Sequence, residues 1–87
     1  MNSVNRERLI QLGLTISMLR KYRGLSREQL AERASVSRSL ISLIEAPGLA
    51  KSFSLEVFYN IADALNIEPA KLMSAPTQFE NLLKLNI

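Results

Sequence analysis

The stretch 25–45, LSREQLAERASVSRSLISLIE, contains two short helical patterns separated by a few small polar residues. Ser26 is a good N-cap for the first helix, and a glutamine three residues later completes a capping box. Ser37 can cap the second helix in the same way. The sequence therefore predicts two helices, over residues 26–33 and 37–45, that are joined by a tight turn of about three or four residues.

Length and composition limit what such a helix pair can belong to. The chain has 87 residues, which is the size of one small domain, so we expect no second, ligand-sensing domain. Cysteine and histidine are both absent, so disulfides, zinc sites built on these residues, thiolate nucleophiles and imidazole bases are excluded. No cluster of acid, base and nucleophile appears either. We therefore expect a protein that is not an enzyme and binds no cofactor or metal.

The start of the chain does not have the pattern of a targeting segment. The first ten residues, MNSVNRERLI, are charged, whereas a targeting segment would have an apolar run after a short basic segment. No stretch approaches the roughly 18 consecutive apolar residues of a membrane span. We expect a cytoplasmic protein that does not insert into a membrane.

The formal charge of +3 is mild, but it is unevenly distributed. Residues 20–51 contain seven basic residues and only three acidic ones, while the rest of the chain is close to neutral. The positive charge thus coincides with the predicted helix pair, as expected if this segment meets phosphates. An ordinary solvated basic face is the alternative interpretation.

Helical signals continue on both sides of the pair, and strand signals are almost absent. A first amphipathic helix is predicted over residues 6–22, because apolar residues recur there at three- and four-residue steps. After a loop over residues 46–53, Ser54 is the next N-cap and Pro69 suits the first turn of a fifth helix. The predicted inward residues of the fourth helix are Leu55, Phe58, Ile61, Ala62 and Leu65.

These elements predict an all-α, compact five-helix domain over residues 1–75, followed by a C-terminal extension over residues 76–87. Five of the last eleven residues are large and apolar, more than a short tail usually exposes. We expect the extension to be helical in part and to support a dimer. The apolar residues concerned are Phe79, Leu82, Leu83, Leu85 and Ile87.

A helix, a tight turn and a second helix in a basic context is the arrangement by which one helix crosses the DNA backbone and the other enters the major groove. Ile41 and Ile44 should face the core, which turns the other face of the second helix outward. Its arginine can make a bidentate contact to guanine, its serines can bond to bases or phosphates, and its leucine can touch a thymine methyl group. The predicted base-contacting residues are Arg38, Ser39, Ser42 and Leu43.

The sequence resembles the phage repressor and Cro-like helix-turn-helix family, also called the XRE family, of bacterial transcriptional regulators. The motifs that carry the resemblance lie in order between residues 9 and 73: LG at residues 12 and 13, then GLSREQLAE, VSRSLISLIE and IADALNIEPAKL. Singly they are weak, but in this order and spacing they are specific. The resemblance implies a lambda-repressor-like domain that binds double-stranded DNA. Because one such domain offers few base contacts, we expect a homodimer.

The resemblance also implies roles for individual residues. Arg27, Ser37, Lys51 and Ser52 fall where the family contacts DNA phosphates. Arg20 and Glu45 stand where an arginine of the first helix pairs with a glutamate at the end of the recognition helix. Three departures are visible. Ser35 replaces a frequent glycine in the turn, and the loop that carries Lys51 is one residue longer. Ser17 occupies a position that is often basic in the family, so one phosphate contact is expected to be absent.

The function expected on these grounds is a sequence-specific transcriptional regulator, a repressor that binds a two-fold operator through residues 37–45. An antitoxin that regulates its own promoter and binds a protein toxin is one alternative. A protein-interaction module that uses the fold without reading DNA is another, for which Leu40 and Leu43 are the best argument.

Overall fold

The computed structural model describes residues 2–76 of the chain. Helix α1 spans Ser3–Tyr22, α2 spans Arg27–Ala34, α3 spans Arg38–Glu45 and α4 spans Leu55–Ala64. A fifth helix, α5, is described over residues 69–76, and the described range contains no strand. The all-α five-helix fold predicted from the sequence is therefore confirmed. The predicted role of residues 77–87 in dimerisation lies outside the described residues.

Helix α1 begins three residues before the predicted start, at Ser3 rather than residue 6. The reason is the side chain of Asn2, whose Oδ1 accepts a hydrogen bond from the backbone N–H of Asn5 at 2.8 Å. An asparagine N-cap satisfies one of the free N–H groups of the first turn, and this suffices to extend the helix outward.

Serines cap the next three helices, as predicted. Ser26 accepts from the backbone of Gln29 at 3.0 Å, and the Gln29 side chain accepts from the Ser26 N–H at 2.8 Å, which completes the capping box. Ser37 and Ser54 cap α3 and α4 by the same kind of bond, at 3.0 and 3.1 Å. These bonds fix where each helix of the pair begins.

The core is formed where the five helices converge. Its fully buried large side chains are Ile16, Leu30, Ile41, Ile61, Leu65 and Leu72. One predicted member of the core is wrong, because Leu55 is 59% exposed. It occupies the first position of α4, at the edge of the packed helices, where it lines a surface depression with Phe53 and Met73.

Helices α1 and α3 approach each other closely at one glycine. A Cβ atom placed on Gly13 would overlap the backbone oxygen of Ile44. Gly13 thus allows the backbone of α1 to touch the end of α3, and it supplies a physical reason for the glycine of the LG motif.

Among the described helices, none is both long and apolar enough to cross a membrane.

Candidate nucleic-acid interface

The turn between α2 and α3 is set by a serine in the left-handed conformation. Ser35 has φ 56° and ψ 41°, a region that glycine enters more readily than other residues. Its N–H donates to the carbonyl of Glu32 at 3.2 Å, and the N–H of Val36 donates to that of Ala31 at 3.0 Å. Ser35 thus terminates α2 as a glycine would, and the chain can restart at Ser37.

The outward face of α3 is available for contact. Ile41 and Ile44 are buried, as predicted, which directs the opposite face of the helix away from the core. Arg38 and Ser39 are exposed, and Ser42 is half-buried. The fourth predicted reading residue, Leu43, is 43% exposed and has no place in the core.

The predicted pair of Arg20 and Glu45 is present and buried. The guanidinium of Arg20 donates from Nε and Nη2 to the two carboxylate oxygens of Glu45, at 2.7 and 2.9 Å. Its remaining amino group donates to the carbonyl of Leu25 at 2.7 Å. Arg20 is 7% exposed and Glu45 is 2% exposed. The pair therefore locks the end of α3 to α1 rather than facing a ligand.

The neighbours of Glu45 keep it ionised. Burial by itself would raise the pKa of Glu45, but hydrogen bonds from Arg20 and Arg27 lower it, and the net pKa lies below its ordinary value. The bond to Glu45 correspondingly raises the pKa of Arg20 against the opposing effect of burial. The two groups thus stay charged in the folded state.

Arg27 shares the same carboxylate. Its Nε lies 3.2 Å from Oε1 of Glu45, and its side chain is 43% exposed. The sequence predicts a phosphate contact for Arg27, but it does not predict this bond to Glu45. Because the contact uses Nε, the guanidinium is held at one end and its terminal amino groups are available to an anion.

Arg38 also has a partner that the sequence did not suggest. Its Nε lies 3.6 Å from Oε1 of Glu28 on α2, in a pair whose side chains are 62% and 76% exposed. The two residues are ten positions apart on different helices, so no helical spacing announces the contact. The first turns of α2 and α3 are therefore adjacent in space.

Some of the arginines in residues 20–51 are bonded within the fold and do not contribute charge to the interface. Arg20 is neutralised by Glu45, and Arg23 donates from Nε to the carbonyl of Leu65 at 2.9 Å, at the end of α4. The charge of residues 20–51 thus overstates the number of cations available to phosphates. Arg27 and Arg38 carry the accessible charge at the start of α2 and α3.

The remaining residues predicted to contact phosphates lie in the loop after α3 and at the N-cap of α3. Lys51 and Ser52 are exposed in that loop, outside any helix. The loop is tied to α1, because Nη2 of Arg6 donates to the carbonyl of Gly48 at 2.9 Å. The hydroxyl oxygen of Ser37 caps α3, which leaves its proton free for an acceptor such as a phosphate.

Within residues 2–76, no group of three or more histidine, cysteine, aspartate or glutamate side chains could hold a metal ion.

Known proteins resemble this chain in sequence and in structure. Residues 11–74 match a family model described as a helix-turn-helix domain. The restriction-modification controller protein C.AhdI from Aeromonas hydrophila is 36% identical over 74% of this chain and 94% of its own, with a TM-score of 0.67.

A mutant of the restriction-modification controller protein C.Esp1396I matches over more of the chain at lower identity. It is 21% identical over 97% of this chain and 98% of its own, with a TM-score of 0.75, and at that identity the likeness concerns the fold alone. A comparison with curated protein sequences finds no match.

Proposed function

Because the chain belongs to the helix-turn-helix domain family and is a DNA-binding transcriptional regulator, we propose that it represses transcription by binding a specific two-fold operator as a homodimer. Helix α3 enters the major groove, and α2 lies across the DNA backbone. The protein acts by binding, without a cofactor or a catalytic step, in the cytoplasm.

The observation that carries this proposal is the position of Arg27 and Arg38. Each is the first residue of its helix, α2 and α3 respectively, and the two helices are joined by the left-handed turn at Ser35. One arginine is anchored to a buried carboxylate, while the other starts the exposed face of α3. This arrangement supports a phosphate contact by Arg27 and a base contact by Arg38.

Base recognition is assigned to the outward side chains of α3. Arg38 presents two donors to guanine, Ser39 and Ser42 donate or accept at base edges, and Leu43 packs on a thymine methyl group. The backbone of the DNA is held by Arg27, Ser37, Lys51 and Ser52. None of these side chains except Arg27 is tied to the buried core by a hydrogen bond or ion pair among the described residues.

A homodimer is required because a single domain offers few base contacts. Two copies on half-sites about 34 Å apart double the contact and match a two-fold operator. We assign residues 1–75 to the DNA-binding domain and residues 76–87 to an extension that supports the dimer.

Exposed apolar side chains favour the surface between α1, α4 and α5 as the dimer interface. Two adjoining depressions between α1, α4 and α5 share Leu9, Leu12 and Met73, and Leu55 extends one of them. Met73 is 56% exposed and Leu55 is 59% exposed. The described chain ends at residue 76, which lines the first depression, so the apolar extension begins at this surface.

The likeness to C.AhdI favours a specific target. We propose that the regulator binds upstream of its own gene and controls a neighbouring operon, as a controller of restriction and modification genes would. An antitoxin that represses its own promoter is the alternative in the same fold. Genes for an endonuclease and a methyltransferase beside this gene would favour the first, and a toxin gene would favour the second.

The partial burial of Leu40 weakens the argument for a protein-interaction module that does not read DNA. Leu40 is partly buried against the core, which leaves Leu43 as the only exposed leucine of α3. Titration of labelled DNA from the region upstream of the gene separates the two functions. DNA binding should weaken steeply between 50 and 200 mM salt, as expected for several phosphate contacts. No binding to DNA at low salt would reject the proposal.

A further inference from the structure

Arg38 stands at a position that helix stability alone does not favour. It is the first residue of α3, where the helix dipole is positive, and the first turn of α3 contains no acidic residue. Its side chain is 62% exposed and makes no hydrogen bond to any residue of the described range. The dipole of α3 therefore slightly disfavours this cation, and its own first turn supplies no negative partner.

Glu28 supplies that negative charge from the neighbouring helix. It lies in the first turn of α2, where an acidic residue is favoured by the dipole of its own helix. Its Oε1 is 3.6 Å from Nε of Arg38. One carboxylate therefore lies in the first turn of α2 and beside the side chain of the first residue of α3.

Stability is a weak explanation for this contact. Both side chains are largely exposed, and ion pairs in water contribute little to folding because solvent screens them. The geometry has a larger consequence for binding. A carboxylate at the Nε edge of the guanidinium attracts that edge electrostatically, and it leaves Nη1 and Nη2 available as the two donors that guanine requires.

We propose that Glu28 is a positioning residue that orients Arg38 for base recognition and thereby sets part of the sequence preference. The inference rests on the proposed function, in which Arg38 contacts a base. Glu28 also disfavours an alternative use of Arg38, because a carboxylate beside the guanidinium repels a phosphate that approaches it on non-specific DNA. Both effects raise the ratio of specific to non-specific affinity.

The test compares Glu28→Gln with Glu32→Gln. Glu32 lies one turn further along α2 and, within residues 2–76, forms no ion pair, so its variant removes the same charge without touching Arg38. Affinities are measured for the site that wild-type protein selects from random DNA, for each single-base variant of that site, and for random DNA. Thermal unfolding of both variants confirms that they are folded.

We expect Glu28→Gln to lower the preference for the selected base at one symmetric position by about threefold or more, a fraction of what a bidentate contact contributes. Glu32→Gln should strengthen binding to all DNA alike. Added to Arg38→Ala, the Glu28→Gln change should have no further effect on preference, because Glu28 acts through Arg38.

The outcomes separate this inference from the function on which it rests. If Arg38→Ala leaves base preference unchanged, the proposed base contact is wrong. If Arg38→Ala changes preference but Glu28→Gln behaves like Glu32→Gln, only the role of Glu28 is overturned. If Glu28→Gln still changes preference when Arg38 is absent, Glu28 acts on the DNA directly and the positioning role is rejected.

Discussion

Arg20 and Glu45 form a buried, two-pronged ion pair that joins α1 to the last residue of α3. The same carboxylate accepts a third bond from Arg27 at the start of α2. Glu45 thus connects three helices at one point, and two of them are the helices assigned to DNA. The orientation of α3 depends on a charged cluster as well as on its apolar face.

Loss of Glu45 should destabilise the fold more than loss of either arginine. Glu45→Ala leaves Arg20 charged and buried without its partner, which typically costs about 3 to 5 kcal/mol. Arg20→Ala should cost less, because Arg27 still compensates Glu45. Arg27→Ala, at a half-exposed position, should cost about 1 kcal/mol or less. Urea unfolding of the three variants gives the order, and equal losses for Glu45→Ala and Arg27→Ala would contradict it.

The charged cluster of Arg20, Arg27 and Glu45 predicts how the stability of the fold depends on pH. The pKa of Glu45 is lower in the folded state than its ordinary value of 4.5, so the unfolded chain binds a proton first as the pH falls. The stabilisation is therefore complete above about pH 4.5 to 5 and is lost as the pH falls through the folded-state value. Urea midpoints between pH 7 and pH 3 should converge for wild type and Glu45→Gln. A constant difference across that range would show that the charge of Glu45 is not responsible.

Gly13 should not tolerate a methyl group. In most helices a change from glycine to alanine is stabilising by about 1 kcal/mol, but here the new Cβ would meet the backbone oxygen of Ile44. We expect Gly13→Ala to destabilise by about 1 to 3 kcal/mol, because α1 and α3 must move apart.

A matched control is Gly24→Ala, at which φ is +72° and no atom lies within 4 Å of the added group. That variant should lose only the roughly 1 to 2 kcal/mol of a left-handed non-glycine residue. If Gly13→Ala proved as stable as wild type, the close approach of the two backbones would be disproved.

The helices can be predicted from the sequence because local chemistry marks their ends. Serine N-caps at Ser26, Ser37 and Ser54 depend on neighbours three residues away, which the sequence displays directly. The apolar pattern does not predict the start of α1, because the asparagine cap precedes that pattern. Leu55 was misassigned because periodicity places it on the inward face without revealing that the core ends before it.

Contacts across the helix pair were less accessible to sequence reasoning. The pairs of Arg27 with Glu45 and of Glu28 with Arg38 join side chains that have no periodic relationship. Such pairs depend on the angle between α2 and α3, which the conformation of Ser35 helps to set. The Arg20–Glu45 pair is predicted only through the resemblance of the motif order to a known family.

The C-terminal extension should determine the oligomeric state. Truncation after Ala75 removes the five large apolar residues of the extension, and we expect the dimer to dissociate in sedimentation velocity at concentrations where the full chain is dimeric. An unchanged mass would place the dimer surface elsewhere or mean that there is no dimer.

A point variant tests the surface beside the extension without shortening the chain. Leu55→Glu should weaken the dimer and leave the fold intact, because this side chain is 59% exposed. Leu14→Glu is the control, since Leu14 is 46% exposed and lines neither depression. Equal sedimentation of the two variants would argue against a dimer surface at Leu55.

The central claim is that Arg38 recognises a base while Arg27 holds the backbone. Binding of wild type, Arg38→Ala and Arg27→Ala is measured on the selected site, a single-base variant and random DNA at several salt concentrations. Arg38→Ala should lose about 1 to 3 kcal/mol on the selected site and relax preference at one symmetric position. Arg27→Ala should weaken binding to all sequences alike and reduce the salt slope by about one unit. If Arg27→Ala rather than Arg38→Ala changes the order of preference, the assignment is contradicted.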